Sequence, residues 1–499
     1  MVEMTESADS IDQARERMAR GELSSEQLTR FYLDRIRTLN GKVNAVIEVN
    51  PDALTIAEGL DDERKAKGTR GPLHGIPVVL KDNIDTGDKM MTTAGSIALQ
   101  GSHAARDSHV AARLRRAGAV ILAKSNLSEW ANYRGFRSSS GWSSRGGLTR
   151  NPYCLDRSAG GSSSGSAVAV AANMTIGAIG TETDGSIVNP CSHNSVVGIK
   201  PTVGLIGRSG IVPISHSQDT AGPMARTVRD VAILLGSLTG SDDMDAGSIP
   251  HSDRSHPDYT QFLDSDGLSG TRIGVARNFF AYNQRVDQII ERSLQLLKNS
   301  GAILVDPATV AVTRELRAAE GTVMSYEFKH GLNQYLDQLH PATAVRSLAQ
   351  VIQFNDQNAE EVMPFFKQEI LTQAEERGDL KSPEYLAALQ QCRQLSRADG
   401  LDKVLHDYSL DAILAPSGGP AWVIDLLNGD RGSGGCSSAA AIAGYPHITV
   451  PAGYVYDLPV GISFFAGAFQ EPVLLRIAYA FEELSNARRD PTFPLSLEL

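Results

Sequence analysis

Cysteine is scarce in this chain, which has only four cysteines in 499 residues. Cys154, Cys191, Cys392 and Cys436 are far apart, and none forms a C-x-x-C pair. This scarcity argues against a disulfide scaffold and against a cysteine zinc site. We therefore expect reduced thiols in a cytoplasmic protein, and no bound metal.

An excess of basic charge is also missing. Lysine and arginine number 47 against 58 acidic residues, so the formal net charge is −11. A chain of this charge has no broad surface for phosphates, and we expect no nucleic-acid partner. Neither a Walker A loop nor a dinucleotide fingerprint is present, so the sequence implies no cofactor.

Long hydrophobic runs are absent as well. The first 18 residues contain no apolar segment of the kind found in signal peptides. A long stretch without charged residues, 158–181, is rich in glycine, serine and asparagine. We interpret that stretch as buried inside the protein, and we expect no membrane partner.

The remaining composition is that of a globular protein with a large core, since 41% of the residues are hydrophobic. Short apolar runs bounded by glycine, proline or charge predict buried strands at 76–81, 119–124, 272–276, 302–306, 411–416, 447–452 and 460–465. Apolar residues at helical spacing predict helices at 24–39, 109–118 and 286–301. The alternation predicts an α/β fold: a large mixed central sheet covered by helices on both faces.

The segment 314–405 differs from the rest, because it is charged and helix-rich and has no clear strands. We interpret it as an insertion that covers one side of the core. Without a repeat or a long low-complexity linker, the whole chain, 1–499, is predicted to be a single domain.

The stretch GGSSSGSAVAVAAN at 160–173 places three serines before a run of small apolar residues. One interpretation is a flexible Gly-Ser linker. A second is the nucleophile elbow of an α/β-hydrolase, with Ser163 at the centre of G-x-S-x-G, but no strand precedes it. A third is that the loop forms half of a catalytic site.

Two other segments favour the third interpretation. GPLHGIPVVLKDN (71–83) is a predicted strand that ends in Lys81, and GTETDGSIVNP (180–190) is a polar turn around Ser186. Taken alone, Lys81 would be read as a lysine that reaches the surface from a strand end, and Ser186 as part of an ordinary loop.

Together the three segments resemble the amidase signature family, whose motif joins a Gly-Ser loop, a small-residue helix and a Gly-Thr-rich turn. Ser162 and Ser186 have the family's spacing, and a Gly-Ile-Pro strand that ends in Lys-Asp lies upstream. The resemblance covers 71–235 and 405–499, whereas 236–404 is a more variable, helix-rich covering region. It implies the amidase signature fold, an α/β/α sandwich.

The resemblance implies an amidase that hydrolyses a carboxylic amide C–N bond to a carboxylate plus ammonia or an amine. It makes Ser186 the nucleophile that carries an acyl-enzyme, Ser162 the bridge and Lys81 the base. It also implies a cis peptide bond before Ser162. The backbone N–H groups of Thr183, Asp184, Gly185 and Ser186 are the expected oxyanion hole.

Lys81 can act as a base only when it is neutral. A lysine pKa of about 10.4 must therefore fall by roughly 2–3 through burial at the end of its strand. Ser163 and Ser164 are expected to serve hydrogen bonds within the loop and at the start of the following helix. His74, His216 or His447 in a Ser-His-Asp triad is the alternative base assignment.

The TETDGSI turn, with Val188 where many relatives have arginine, resembles the peptide amidase branch, which removes C-terminal amides of peptides. Aryl, amino-acid or other small amides are alternative substrates. Two further alternatives are the glutaminase subunit of a tRNA-dependent amidotransferase and a non-catalytic binding protein on an amidase fold. The expected partner is a small-molecule or peptide amide substrate, with a homodimer as the candidate assembly.

Overall fold

The structure is a computed structural model that describes residues 10–248, 254–340, 343–432 and 434–497. The first nine residues, part of the N-terminal segment considered above, lie outside the described residues. Among those that are described, no helix is long and apolar enough to span a membrane.

Strands of two to nine residues run through most of the chain. They are β1 (Val46–Val49), β2 (Pro77–Lys81), β3 (Val120–Ser125), β4 (Trp142–Ser143), β5 (Gly147–Leu148), β6 (Gly177–Glu182), β7 (Val197–Lys200), β8 (Thr220–Ala225), β9 (Arg272–Val275), β10 (Ile303–Val305), β11 (Ala412–Pro416), β12 (His447–Val455) and β13 (Leu458–Phe465).

Helices alternate with these strands, and six of them follow one another between β10 and β11. They are α1 (Ile11–Ala19), α2 (Ser25–Val43), α3 (Ala53–Lys67), α4 (His109–Arg116), α5 (Ser164–Ala171), α6 (Val188–His193), α7 (Val228–Leu238), α8 (Gln284–Asn299), α9 (Arg314–Asp337), α10 (Leu348–Gln357), α11 (Ala359–Val362), α12 (Glu369–Glu375), α13 (Pro383–Arg393), α14 (Asp402–Asp407), α15 (Ser437–Ala443) and α16 (Glu471–Ser485).

Eleven strands form one mixed sheet in the order β1-β3-β2-β6-β8-β7-β12-β13-β11-β9-β10, while β4 and β5 pair separately. Strand β2 runs parallel to both β3 and β6, and β9 runs parallel to β10 and β11. Strand β8 is antiparallel to β6. With helices around this sheet, the predicted large mixed α/β architecture is confirmed.

All seven predicted strands and all three predicted helices are present. Helix α2 begins as the sequence indicates, because Ser24 and Gln27 form a reciprocal capping box. Strands β1, β4, β5, β6, β7 and β8 were not predicted. Two of them contain glycine beside other small residues (GAIGTE in β6 and TAGPMA in β8), so they lack the continuous run of large apolar residues that marks a buried strand.

Region 236–404 is not uniform. Its strands β9 and β10 belong to the main sheet, and helices α9 to α13 follow them. Two apolar clusters with members in this helical segment pack beside the main core, one around Phe328 and Leu332 and the other around Leu316 and Tyr385. The assignment of the whole chain to a single domain stays a prediction.

Candidate active site

Lys81 is the last residue of β2, and its side chain is fully buried. Its Nζ lies 2.7 Å from Ser162 Oγ, 2.9 Å from Thr181 Oγ1 and 3.2 Å from the Thr181 carbonyl oxygen. Because β2 and β6 are parallel neighbours, the chain at the end of β6 lies beside Lys81. The sheet therefore places this amine among oxygen atoms only.

Burial lowers the pKa of Lys81 to about 7, even though the nearby carboxyls of Glu182 and Asp219 act in the opposite direction. A large share of the lysine is thus neutral at physiological pH, when it can accept a proton. This environment agrees with what a base at this position requires.

The loop that carries Ser162 is held closely by its neighbours. The Gly161-Ser162 peptide bond is cis, and the Ser162 carbonyl accepts a hydrogen bond of 3.1 Å from the Ser128 N–H. Ser162 itself is completely buried. A side chain at position 161 would collide with Ser128 Oγ, at 2.5 Å from a Cβ, so only glycine fits there.

The two serines after Ser162 do not both act as expected. Ser163 precedes helix α5, but its side chain does not cap that helix. Its hydroxyl instead donates to the Thr181 carbonyl at 3.0 Å and accepts from the Thr181 N–H at 3.2 Å. Ser164 donates to the Gly160 carbonyl. The predicted loop hydrogen bonds are present, whereas the predicted capping role of the Ser163 side chain is wrong.

Ser186 lies on the turn between β6 and α6, where Gly185 has φ +83°, a conformation that favours glycine. The Ser186 carbonyl accepts a 3.1 Å hydrogen bond from the Ser163 N–H, which ties this turn to the Ser162 loop. Ser186 is only partly buried, while Ser162 and Lys81 are fully buried. Of the three, Ser186 is the one that a substrate can reach.

The turn also presents backbone donors. Within the described residues, the N–H groups of Asp184, Gly185 and Ser186 donate no hydrogen bond. The next two N–H groups, of Ile187 and Val188, are taken by the Glu182 carboxylate at 2.7 and 3.0 Å. Unpaired N–H groups beside a serine hydroxyl can stabilise a developing oxyanion.

Several residues that organise the site were not identified from the sequence. Thr181 contacts Lys81 and also accepts a hydrogen bond of 3.0 Å from Asn83 Nδ2. Asp219 accepts from Thr183 Oγ1 at 2.6 Å and so supports the start of the turn. Glu182 is the last residue of β6, and Asp219 directly precedes β8. Had these two strands been predicted, a carboxylate at the end of each would have marked both residues as candidates for the site.

A cavity of about 360 Å³ opens beside this group and is bordered by Asn83, Thr181, Thr183, Asp219, His216 and Tyr335 among others. Arg208, at its wall, is paired with Asp245 at 2.7 Å.

None of the three candidate histidines contacts the proposed serines, although His216 borders the cavity. His74 is buried with Nε2 at 2.9 Å from the Leu60 carbonyl, and His447 is buried with Nε2 at 2.6 Å from Ser463 Oγ. His216 is half exposed, 3.3 Å from Glu327. No histidine within the described parts of the chain hydrogen-bonds Ser162 or Ser186. The histidine triad therefore has no support in the geometry.

The geometry does not support an α/β-hydrolase elbow at Ser163 either, because the segment from Thr149 to Ser163 contains no strand. Metal ligands were not expected, and over the described residues no group of three or more histidine, cysteine, aspartate or glutamate side chains is arranged to hold an ion.

Known proteins resemble this chain along most of its length. The family described as Amidase matches residues 27–475. The native peptide amidase from Stenotrophomonas maltophilia superposes with a TM-score of 0.93 at 46% identity, covering 98% of this chain and 99% of that one. A protein of Arabidopsis thaliana named probable amidase is 44% identical, covering 94% of this chain and 89% of that protein.

One of the subunits of glutamyl-tRNA(Gln) amidotransferase, from Pseudomonas syringae pv. syringae, is more distant. It is 33% identical over 94% of this chain and 96% of that protein.

Proposed function

Because this chain belongs to the amidase family, we propose that it cleaves its substrate through an acyl-enzyme formed on Ser186. The chain is a hydrolase that acts on amide bonds. The finer assignment concerns which side chains move the protons and which amide is cleaved.

In the proposed mechanism, Ser186 Oγ attacks the amide carbon and passes its proton to Ser162, while Ser162 passes its own proton to neutral Lys81. The protons then return along the same path to the departing nitrogen, so that ammonia or an amine leaves. Water next attacks the acyl-enzyme by the same relay, and a carboxylate is released. Atoms and charge balance without any cofactor.

The observation that carries this proposal is the buried contact of 2.7 Å between Lys81 Nζ and Ser162 Oγ. The lysine pKa of about 7 supports it, because the base must lose its proton before the reaction begins. The unpaired N–H groups of Asp184, Gly185 and Ser186 support an oxyanion hole at this turn, with Thr183 as the fourth proposed donor.

For the substrate, we propose the C-terminal amide of a peptide. The relative from Stenotrophomonas maltophilia is named a peptide amidase, and the two chains cover each other almost completely. A carboxylate-bearing substrate is less suited to this turn, because Val188 is buried and carries no charge. The four free cysteines support a cytoplasmic location. A homodimer stays a prediction, to be checked by light scattering.

The test is the Ser186→Ala variant with an N-acetylated dipeptide amide as substrate. We expect ammonia release to fall below a few per cent of the wild-type rate. Circular dichroism should be unchanged, since only one hydroxyl is lost from a partly exposed turn. Acid quenching of the wild-type enzyme during turnover, followed by peptide mapping, should place the acyl group on Ser186. An active Ser186→Ala enzyme would contradict the proposal.

A matched control is Ser163→Ala, which removes the neighbouring hydroxyl of the same loop. The Ser163 hydroxyl bonds to the backbone of Thr181, and the substitution keeps the Ser163 N–H that donates to Ser186. Loss of the hydroxyl should therefore leave acyl-enzyme formation intact, although the rate can fall as the loop loosens. Loss of the covalent intermediate in Ser163→Ala but not in Ser186→Ala would reverse the assignment.

A further inference from the structure

Two carboxyl groups meet beside the proposed nucleophile. Asp184 lies on the turn two residues before Ser186, and the carboxyl of Glu320 on α9 lies beside the Asp184 carboxyl. Glu320 is buried. The Asp184 atom Oδ2 accepts from Ser438 Oγ at 2.6 Å, whereas its buried Oδ1 receives no N–H or O–H donor from the described residues.

A proton shared between the two groups would satisfy this arrangement. Two ionised carboxylates in contact repel each other strongly, and sharing one proton removes that repulsion. Gln218 Nε2 donates to Glu320 Oε1 at 3.0 Å, so the other Glu320 oxygen is the one available to carry the proton. A protonated Glu320 would donate to Asp184 Oδ1 and give that atom the partner it otherwise lacks.

The same contacts connect the turn to α9. Gln218 Nε2 also reaches the carbonyl of Thr183 at 3.4 Å, so it bridges the turn and Glu320. On the other side of Asp184, Ser438 receives a hydrogen bond of 3.2 Å from Arg317, which also lies on α9. Thr183 and Asp184 are therefore held from one helix through two separate paths.

We propose that Glu320 is a positioning residue for the hydrolysis: by sharing a proton with Asp184, it fixes the turn that carries Ser186 and the N–H groups beside it. This inference rests on the proposed function of that turn. Glu320 touches no reacting atom in this scheme and acts only through Asp184. When the shared proton is lost, the two carboxylates repel and the turn moves away from α9.

Charged and titratable groups face the pair from every neighbouring element. They are Arg317 on α9, Tyr133, Glu182 at the end of β6, Lys200 at the end of β7, Cys392 on α13 and Cys436 before α15. Burial, with the Asp184 charge next, raises the pKa of Glu320 to about 8. The apparent value in a rate profile belongs to the pair and not to one residue.

The experiment compares kcat as a function of pH for the wild type, Glu320→Gln and Glu320→Ala, with an N-acetylated dipeptide amide that does not titrate. A glutamine amide can donate to Asp184 and accept from Gln218, but it cannot ionise. The wild-type kcat should fall above pH 8, whereas Glu320→Gln should remain active without that fall. In Glu320→Ala, kcat should drop by about 10²-fold at pH 7.5, because the turn loses its alignment.

The matched control is Glu315→Gln, which changes an exposed glutamate in the first turn of the same helix. Its profile should be that of the wild type. Thermal unfolding at each pH verifies that every variant is folded, and if Glu320→Ala does not fold, the Glu320→Gln profile decides alone. An alkaline fall in Glu320→Gln equal to that of the wild type would overturn the inference.

The experiments distinguish a failure of the role of Glu320 from a failure of the proposed function. An active Ser186→Ala enzyme would remove the role of the turn itself. An inactive Ser186→Ala enzyme, together with Glu320 variants that match the wild type in kcat and in pH profile, would overturn only the role of Glu320.

Discussion

The Lys81 side chain determines how the rate should depend on pH. Its pKa is lowered to about 7 by burial, so the neutral form that accepts a proton increases as the pH rises through that value. We expect kcat/KM to rise with pH up to about pH 8, with a midpoint near 7. Lys81→Ala should lower kcat/KM by roughly 10³-fold or more, as the loss of a base in a catalytic triad does. Initial rates between pH 5 and 8 measure both effects.

Two controls separate this prediction from a histidine-based mechanism. The double variant Lys81→Ala/Ser162→Ala should lose little more kcat/KM than the more damaging single variant, because the effects of residues that act as a unit are not additive. His216→Ala should retain the rising limb, because His216 contacts Glu327 and not the serines. If His216→Ala lost that limb while Lys81→Ala kept it, the lysine assignment would be refuted.

At the level of single residues, the sequence predicted the three side chains of the proposed relay but not those that hold them. Lys81, Ser162 and Ser186 belong to a motif with fixed spacing, whereas Glu320 lies in a segment with little resemblance to the family. The contact of Glu320 with Asp184 joins residues far apart in the chain, and only tertiary packing brings them together. The wrong prediction of a capping role for Ser163 has the same cause, because its hydroxyl hydrogen-bonds the backbone of Thr181 and not the N-terminus of α5.

Among the elements, helix α5 shows why the serine loop is followed by small residues. Every residue of α5 is buried, and a Cβ at Gly165 would lie 2.5 Å from the Asn126 carbonyl oxygen and closer still to that of Ala45. Gly165→Ala should therefore destabilise the protein by about 1–3 kcal/mol, the usual cost of overpacking a core. It should also lower activity, because α5 begins directly after the Ser162 loop. Chemical denaturation and the amidase rate test this.

The matched control for that prediction is Gly59→Ala in α3, an exposed helical glycine with no atom within 4 Å of the place that a methyl group would take. There the same substitution should stabilise the helix by about 1 kcal/mol. Equal effects at the two positions would mean that the close approach of α5 to its neighbours does not limit position 165.

Several strands with continuous apolar runs were identified from the sequence, whereas β6 and β8, in which glycine and other small residues interrupt the run, were missed. Strands β2, β3 and β11 read as PVVLK, VILAKS and AILAP, and they were identified. In β8, Gly222 lies against the Ile199 carbonyl, where a side chain would not fit. Glycine allows this close packing of the backbones, but it also interrupts the apolar run from which a strand is predicted. The central strand β6 was missed for the same reason, although it leads directly into the Ser186 turn.

For the molecule as a whole, the helical segment after β10 does more than cover the sheet. Helix α9 contributes Tyr335 to the cavity wall and places Glu320 beside the turn that carries Ser186, while the strands on either side of the segment belong to the central sheet. The sequence predicted the helices of this segment from its composition. It could not predict their contacts with the turn, because those depend on how α9 packs against the sheet.

The distribution of charge around the turn also predicts which amides the isolated chain should cleave. The carboxyl groups of Asp184 and Glu320 lie close to Ser186, and a substrate carboxylate beside an ionised carboxyl group in a partly desolvated site is repelled. Free glutamine carries an α-carboxylate, whereas a peptide amide has no carboxylate at its C-terminal end. We therefore expect the purified chain, without any partner protein, to cleave N-acetyl-Ala-Phe-amide with a kcat/KM at least about 10²-fold above that for glutamine, a discrimination of roughly 3 kcal/mol. Ammonia release measures both substrates, and Ser186→Ala gives the background for each. Equal cleavage of glutamine, or activity only after a second protein is added, would favour the amidotransferase alternative.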